Sequence, residues 1–527
     1  MEAEQLKRLE RKESAHIAEI LDEFNKKNAE LLVFDSFHTD NQWHELWLAI
    51  FGILEDKELE KVHALCLNTV RILTRDEFSL QTHYIEQELG TLLQLARLDA
   101  QADVELLRQL SAQQAEIIAE ALKCLCNLVY QSADCRKQCL RQHGLDALVQ
   151  RLSLASSMRY PTTLEYYDMK LLFLLTALET TARVRLQNEL SGLTYMTNWL
   201  DEKLSEPGLL QSKEQQQLLC ELLKVLFTLT STTDKSPNEQ ELQCLQLTRV
   251  LRELLLHFGD QPSSRGVLTH AINLLTNINS SCLVELLIKC NPVDASDDVN
   301  CFEQRNVRCL QLLLDYLRQG LAQQQLEASS PELLSPVLTV LVKCARSNRI
   351  MRHYLRKQIL PPLKDVSQRP ELGTELRNHL CRFLTLPAMI LRDLAAELIF
   401  VLCKENVARM IKYTGYGNAA GLFAKRGLLD CRRVENTDYS SDSENSDTEE
   451  YKQQQACVNP VLGCVEQPKR NPLEGMSEEQ QEYEALQLVK LLEQLRQDGV
   501  VQPALIDKDG KPQPLEHILQ LQEQRKS

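Results

Sequence analysis

The run KYTGYGNAAG brings Gly415, Gly417 and Gly421 within ten residues, in a chain with 17 glycines among 527 residues. Glycines this close can let backbone N–H groups approach a phosphate. A dinucleotide fingerprint would need Gly-x-Gly-x-x-Gly after a strand. Here the spacing is Gly-x-Gly-x-x-x-Gly, and the preceding AAELIFVLCKENVARMIKYT has a helical pattern. No Gly-Lys-Ser/Thr occurs either. The run reads as a turn that ends one helix and packs tightly before the next. CRKQCLRQH spaces Cys135, Cys139 and His143 by four, on one helical face. Zinc usually recruits a further short-spaced pair. None is present, so these thiols read as buried helix residues and no metal is expected. Histidines are scattered singly, without Gly-x-Ser-x-Gly or His-Glu-x-x-His. Covalent catalysis and a cofactor are therefore not expected.

Binding chemistry is better represented. Arg71 and Arg75 stand four apart in RILTRDE, and KCARSNRIMRHYLRKQ carries Lys343, Arg346, Arg349, Arg352, Arg356 and Lys357. Guanidiniums grip carboxylates with two parallel hydrogen bonds. In an acidic chain such islands read either as a site for an anionic ligand or as solvated helix surface. Asn127 and Asn277, amides on otherwise apolar helices, favour a site that holds a bound peptide. Ser441 and Ser446 each have a glutamate three residues on, Glu444 and Glu449. That is the pattern an acidophilic kinase of the casein kinase two type prefers. Phosphate there would add charge able to dock on arginines.

The elements that position these residues are helices. Glycine and proline are sparse at 17 each, and aromatics make up 5%. From Gln113 to Tyr130 the apolar residues Ile117, Ile118, Ala121, Leu122, Leu125, Leu128 and Val129 follow the i, i+3, i+4, i+7 pattern of a helix. Comparable segments recur around Asn68, Asn127, Ala177, Thr228, Asn277, Ala345 and Cys403. This degenerate repeat predicts an all-α armadillo or HEAT solenoid over residues 1–429, with these seven helices lining one wall. Residues 430–475 read as an acidic, phosphorylatable linker. From Glu435 to Glu450 seven acidic residues occur without a basic one. An amphipathic helix is expected at 476–497, opened by the capping box Ser477/Gln480, and a tail with a short helix at 498–527. The net charge of −15 argues against nucleic acid as a partner. Seventeen cysteines in apolar helices, a charged N-terminus without a signal peptide and no long uncharged apolar run suggest a cytosolic protein without a membrane span.

Several stretches together resemble the synembryns: VRILTRD, EALKCLCNLVYQS, LLFLLTAL, LKVLF, LPPLKDV, IKYTGYGNAAGLFAKRGLL, YSSDSENSDTEEY, NPVLGCVE and NPLEGMSEEQQEYEALQLV. The resemblance runs from about Phe34 to Leu495. One departure is Thr228, where the family pattern leads to an expected asparagine. The resemblance implies a guanine-nucleotide exchange factor and folding chaperone for G-protein α subunits (Gα), with the Gα C-terminal helix in the concave groove. It implies contacts to that helix from Arg71, Arg75, Asn127, Asn277, Arg346 and Arg349, and activation by casein kinase two at Ser441 and Ser446. The helix from about Met476 to Leu495 would brace the nucleotide domain. The protein would be cytoplasmic and at the cell cortex, reaching membranes through Gα alone. The competing reading is a passive armadillo adaptor, importin-like or cortical.

Overall fold

The computed structural model describes residues 3–31, 42–82, 86–99, 109–155, 160–205, 208, 212–231, 237–290, 300–327, 331–426, 448–466, 476–497, 504–506 and 512–514. Seven helices stack side by side in chain order: Glu60–Leu73, Ala112–Gln131, Thr162–Leu178, Lys213–Thr230, Arg265–Asn277, Ser335–Ser347 and Met389–Leu402. They are called rungs one to seven below. Ser14–Asn28 packs against rung one and extends the layer. The intervening helices build a second layer, in which Gly192–Ser205 packs on Pro237–Phe258 and that helix on Arg308–Glu327. The result is an all-α repeat solenoid, in which each rung buries its apolar faces on its neighbours.

Rung two illustrates the local logic. Ser111 accepts from the Gln114 amide and the Gln114 side chain caps Ser111 in return, which satisfies two otherwise unpaired donors. The predicted apolar stripe is buried throughout, and Cys124 and Cys126 are buried with it. Burial pushes the thiols of Cys66, Cys126, Cys344 and Cys403 up to about 12. They stay protonated and act as small core residues. The core also holds a buried ion cluster. Arg151 donates to the Ala96 carbonyl at 2.6 Å and to Asp168 of rung three, while the Tyr160 hydroxyl donates to the other Asp168 oxygen at 2.7 Å.

Short antiparallel pairings were not expected from the sequence. Ile288–Lys289 and Cys301–Phe302 flank Arg305–Asn306, and Ala504–Ile506 pairs with Pro512–Pro514. The expected tail helix lies largely outside the described residues. Among these, no helix is long and apolar enough to cross a membrane.

The expected linker is folded over residues 448–466. Thr448 caps the helix Glu449–Gln454 by accepting from the Tyr451 amide, and Tyr451 is buried beneath Lys412, whose Nζ lies 4.3 Å from the ring centroid. Val458–Asn459 then pairs with Cys464–Val465 across a turn at Gly463. The Val465 amide donates to the Val366 carbonyl at 2.7 Å. The amides of Tyr416 and Gly417 donate to Pro460 and Val461 at 2.8 and 3.0 Å. The acidic composition of 435–450 gave no sign of this, because the apolar contacts come from Tyr451 and NPVLGCV.

Here the glycine run finds its explanation. Gly415 ends the helix Val407–Thr414 with φ +73°. A Cβ there would come within 2.9 Å of both Leu462 and the Val461 carbonyl oxygen. Gly415 thus supplies a left-handed backbone and a close approach in one residue. Gly421 meets nothing within 4 Å and has no such role.

Candidate functional site

The C-terminal turns of the rungs form a row, and the repeated polar residues sit in it. Much of their hydrogen bonding joins one rung to the one before. Asn127 Nδ2 donates to the Arg71 carbonyl at 3.2 Å and to Thr74 Oγ1 at 3.1 Å. Asn277 Nδ2 donates to the Phe227 carbonyl and to Thr230 Oγ1, both at 3.1 Å. Thr228 Oγ1 lies 3.1 Å from Thr176 Oγ1, so the residue that departs from the family pattern also makes an inter-rung joint. Lys343 Nζ donates to the carbonyls of Thr276 and Ile278 at 2.6 and 3.0 Å. The joints from Asn127, Asn277 and Lys343 reach carbonyls at helix ends, which lack a backbone N–H partner within their own helix.

Between these joints the row presents apolar surface. Tyr130, Leu178 and Phe227, at the ends of rungs two, three and four, are all exposed. Beside them Lys123 lies 5.3 Å from the Tyr167 ring centroid and Lys224 5.3 Å from that of Phe173. Each lysine is also paired with a glutamate of its own helix, Glu120 at 2.6 Å and Glu221 at 2.7 Å. Fixed between ring and carboxylate, both head groups hold a defined place on the wall. Sequence reasoning missed them. Their signal was position: each precedes a joint residue, Asn127 or Thr228, by four.

Cations flank this apolar stretch. At the rung-one end, Arg71 contacts Asn68 Oδ1 at 2.5 Å and Glu120 at 3.3 Å. Arg75 was expected on the same helical face, but rung one stops at Leu73. Its guanidinium turns to the carbonyls of Ala29 and Leu31 at 2.6 and 3.3 Å. Partial burial and the nearby Arg71 pull its pKa below the usual guanidinium value. At the rung-six end, Arg346 pairs with Glu397 of rung seven and lies 3.8 Å from Glu405. Arg349, in the following helix Arg349–Ile359, lies 3.5 Å from Glu303. Both arginine side chains are about half exposed. Arg71 on rung one and Arg346 on rung six therefore stand on either side of the apolar stretch along the stack. Ser441 and Ser446 lie outside the described residues. Cys135 and Cys139 are buried, and His143, with φ +59°, lies 3.4 Å from Asp146. Among the described residues no cluster of metal-ligating side chains occurs.

A family model described as guanine nucleotide exchange factor synembryn matches residues 66–511, which include the whole row. The chain belongs to the synembryn family. It is 69% identical over 558 residues to "Chaperone Ric-8" of Drosophila pseudoobscura pseudoobscura, covering 99% of this chain and 98% of that one. It is 36% identical over 520 residues to "Chaperone Ric-8A" of Gallus gallus, covering 95% and 94%. Among solved structures it is similar to a designed armadillo repeat protein at 14% identity, with a TM-score of 0.36, over 57% of this chain and 98% of that one. Synembryn membership brings the family's role, guanine nucleotide exchange, to a wall whose chemistry is suited to binding.

Proposed function

We propose that this synembryn accelerates nucleotide release from free, GDP-bound Gα and chaperones nascent Gα, by holding the Gα C-terminal helix along the rung ends. The observation that carries the reading is the exposed line of Tyr130, Leu178 and Phe227 between cationic ends. An amphipathic helix binds to such a trough by its apolar face, while cations take its carboxylates. Arg71, Arg75, Arg346 and Arg349 are the proposed polar contacts at the two ends. Asn127 and Asn277 present the side-chain oxygens left over from their inter-rung joints. The mechanism is differential binding: a factor that holds nucleotide-free Gα more tightly than the GDP form shifts the population toward release. GTP binding then reverses the complex, and no group on the factor reacts covalently.

The helix Glu478–Gln497, which exposes Tyr483, Leu486, Leu488 and Leu491, is the proposed brace for the nucleotide domain. Casein kinase two is the proposed source of phosphate on Ser441 and Ser446. The proposed location is the cytoplasm and cell cortex, with membranes reached through Gα. The test is uptake of a non-hydrolysable GTP analogue by free Gα. Arg71→Glu and Arg346→Glu should each lower stimulation by roughly tenfold or more, as expected when a charge-assisted contact becomes repulsive. In the same assay, kinase-treated protein should outpace a treated Ser441→Ala/Ser446→Ala variant. Full stimulation by both arginine variants would overturn the groove assignment, and equal rates in the kinase pair the phosphate assignment.

A further inference from the structure

Arg346 is already holding a carboxylate. Glu397 of rung seven contacts Arg346 through Oε1 and Arg426 through Oε2, so one side chain bridges rung six to the last turn of Tyr416–Arg426. The three groups differ in exposure: the side chain of Glu397 is 19% exposed, that of Arg426 31% and that of Arg346 48%. Arg426 is further fixed over the Phe400 ring, 4.8 Å from its centroid. Lys425 pairs with Asp393 at 2.5 Å, which holds the same helix turn to rung seven.

We infer that Glu397 is an intramolecular stand-in for a ligand carboxylate, and that Arg346 moves between Glu397 and an anionic group on the bound helix. This deepens the proposed function and rests on it for the identity of the ligand. The exchange is feasible because of the bridge. When Arg346 swings outward it also leaves Glu405, 3.8 Å away, but Glu397 keeps Arg426 and so is not stranded in a poorly solvated place. Arg346 has the solvent access to swing, whereas Arg426 is held by its ring. Glu397 therefore sets how much binding free energy an incoming carboxylate must supply to win Arg346. It acts through Arg346 and does not itself touch the ligand.

The test uses full-length protein, Glu397→Gln and Arg346→Gln/Glu397→Gln. Binding is measured by fluorescence anisotropy with a peptide spanning the Gα C-terminal helix and with the same peptide carrying amides in place of its carboxylates. Glutamine keeps one acceptor oxygen, which can stay with Arg426, whereas its amide nitrogen cannot accept from Arg346, and the competing charge is gone. Glu397→Gln should bind the acidic peptide roughly three- to tenfold tighter than wild type. The gain should vanish with the amidated peptide and in the double variant. A second arm needs no Gα: thermal unfolding in sodium sulfate against sodium chloride at equal ionic strength. Sulfate should raise the Tm of Glu397→Gln more than that of wild type or of the double variant, a difference that a purely structural role for Glu397 would not produce. Peptide affinity unchanged by Glu397→Gln, or a gain that survives amidation, overturns the inference while leaving Gα binding intact. Selective stabilisation by sulfate without any peptide binding supports the exchange at Arg346 and overturns the Gα reading instead.

Discussion

Asn127 and Asn277 have two roles that a binding assay alone would confuse. Their side-chain nitrogens hold the preceding rung, and their oxygens face the row in the proposed function. Asn127→Ala would leave the Arg71 carbonyl and Thr74 Oγ1 without this donor. We expect a loss of about 1–2 kcal/mol in urea unfolding for Asn127→Ala, and a similar loss for Asn277→Ala. Thr228→Asn should change stability less, since either side chain can bond across to rung three. An Asn127→Ala protein with wild-type stability would show that the joint contributes nothing. These amides were visible in the sequence as polar interruptions of apolar helices. Their donors' partners were not, because they lie some fifty residues away on a neighbouring rung and only stacking brings them together. For the same reason Arg75 looked like a partner of Arg71. The i, i+4 spacing assumes a continuous helix, and rung one ends between them.

At the scale of elements, helices were legible and loops were not. Apolar periodicity located all seven rungs, and the capping box at Ser477 and Gln480 forms as the spacing predicts, with 3.2 and 3.3 Å bonds. The returning segment 448–466 was misread because composition reports average polarity, whereas its docking rests on a few residues: Thr448, Tyr451 and the turn at Gly463. Its receptor is the glycine run. Gly415→Ala should therefore destabilise the end of the solenoid by about 1–3 kcal/mol, through a strained positive φ and a clash with backbone that cannot move aside. Gly421→Ala should be neutral or slightly stabilising, since it lies in a helix with open space around it. Hydrogen exchange should show lost protection at Gly417 and Val465 in the first variant and none in the second. Equal behaviour of the two would remove the special role given to Gly415.

The whole molecule should be sensitive to acid on the histidine side of neutrality. Burial and the nearby Lys224 depress the His270 pKa below 6.5, and burial and Arg382 do the same for His379. Unfolded histidine titrates near 6.5, so just below that pH the unfolded chain binds more protons than the folded one. Their stability contribution is fully present above the unfolded pKa and falls as the pH drops toward the folded values. The Tm should decline as the pH falls below about 6.5, and His270→Gln/His379→Gln should flatten that decline. A slope unchanged in the double variant would place the acid sensitivity elsewhere.

The returning segment also changes what a chain break means in this protein. Arg426 and Thr448 are both anchored to the same end of the solenoid, the first through Glu397 and the second through the Leu363 carbonyl. The 427–447 stretch is the covalent link between two pieces that also hold each other by contacts. A single proteolytic cut within it severs the covalent link but removes no described contact. A truncation that stops short of Thr448 is a different lesion. It uncovers Leu363, Val366 and the glycine face together, and so turns an internal joint into a raw end.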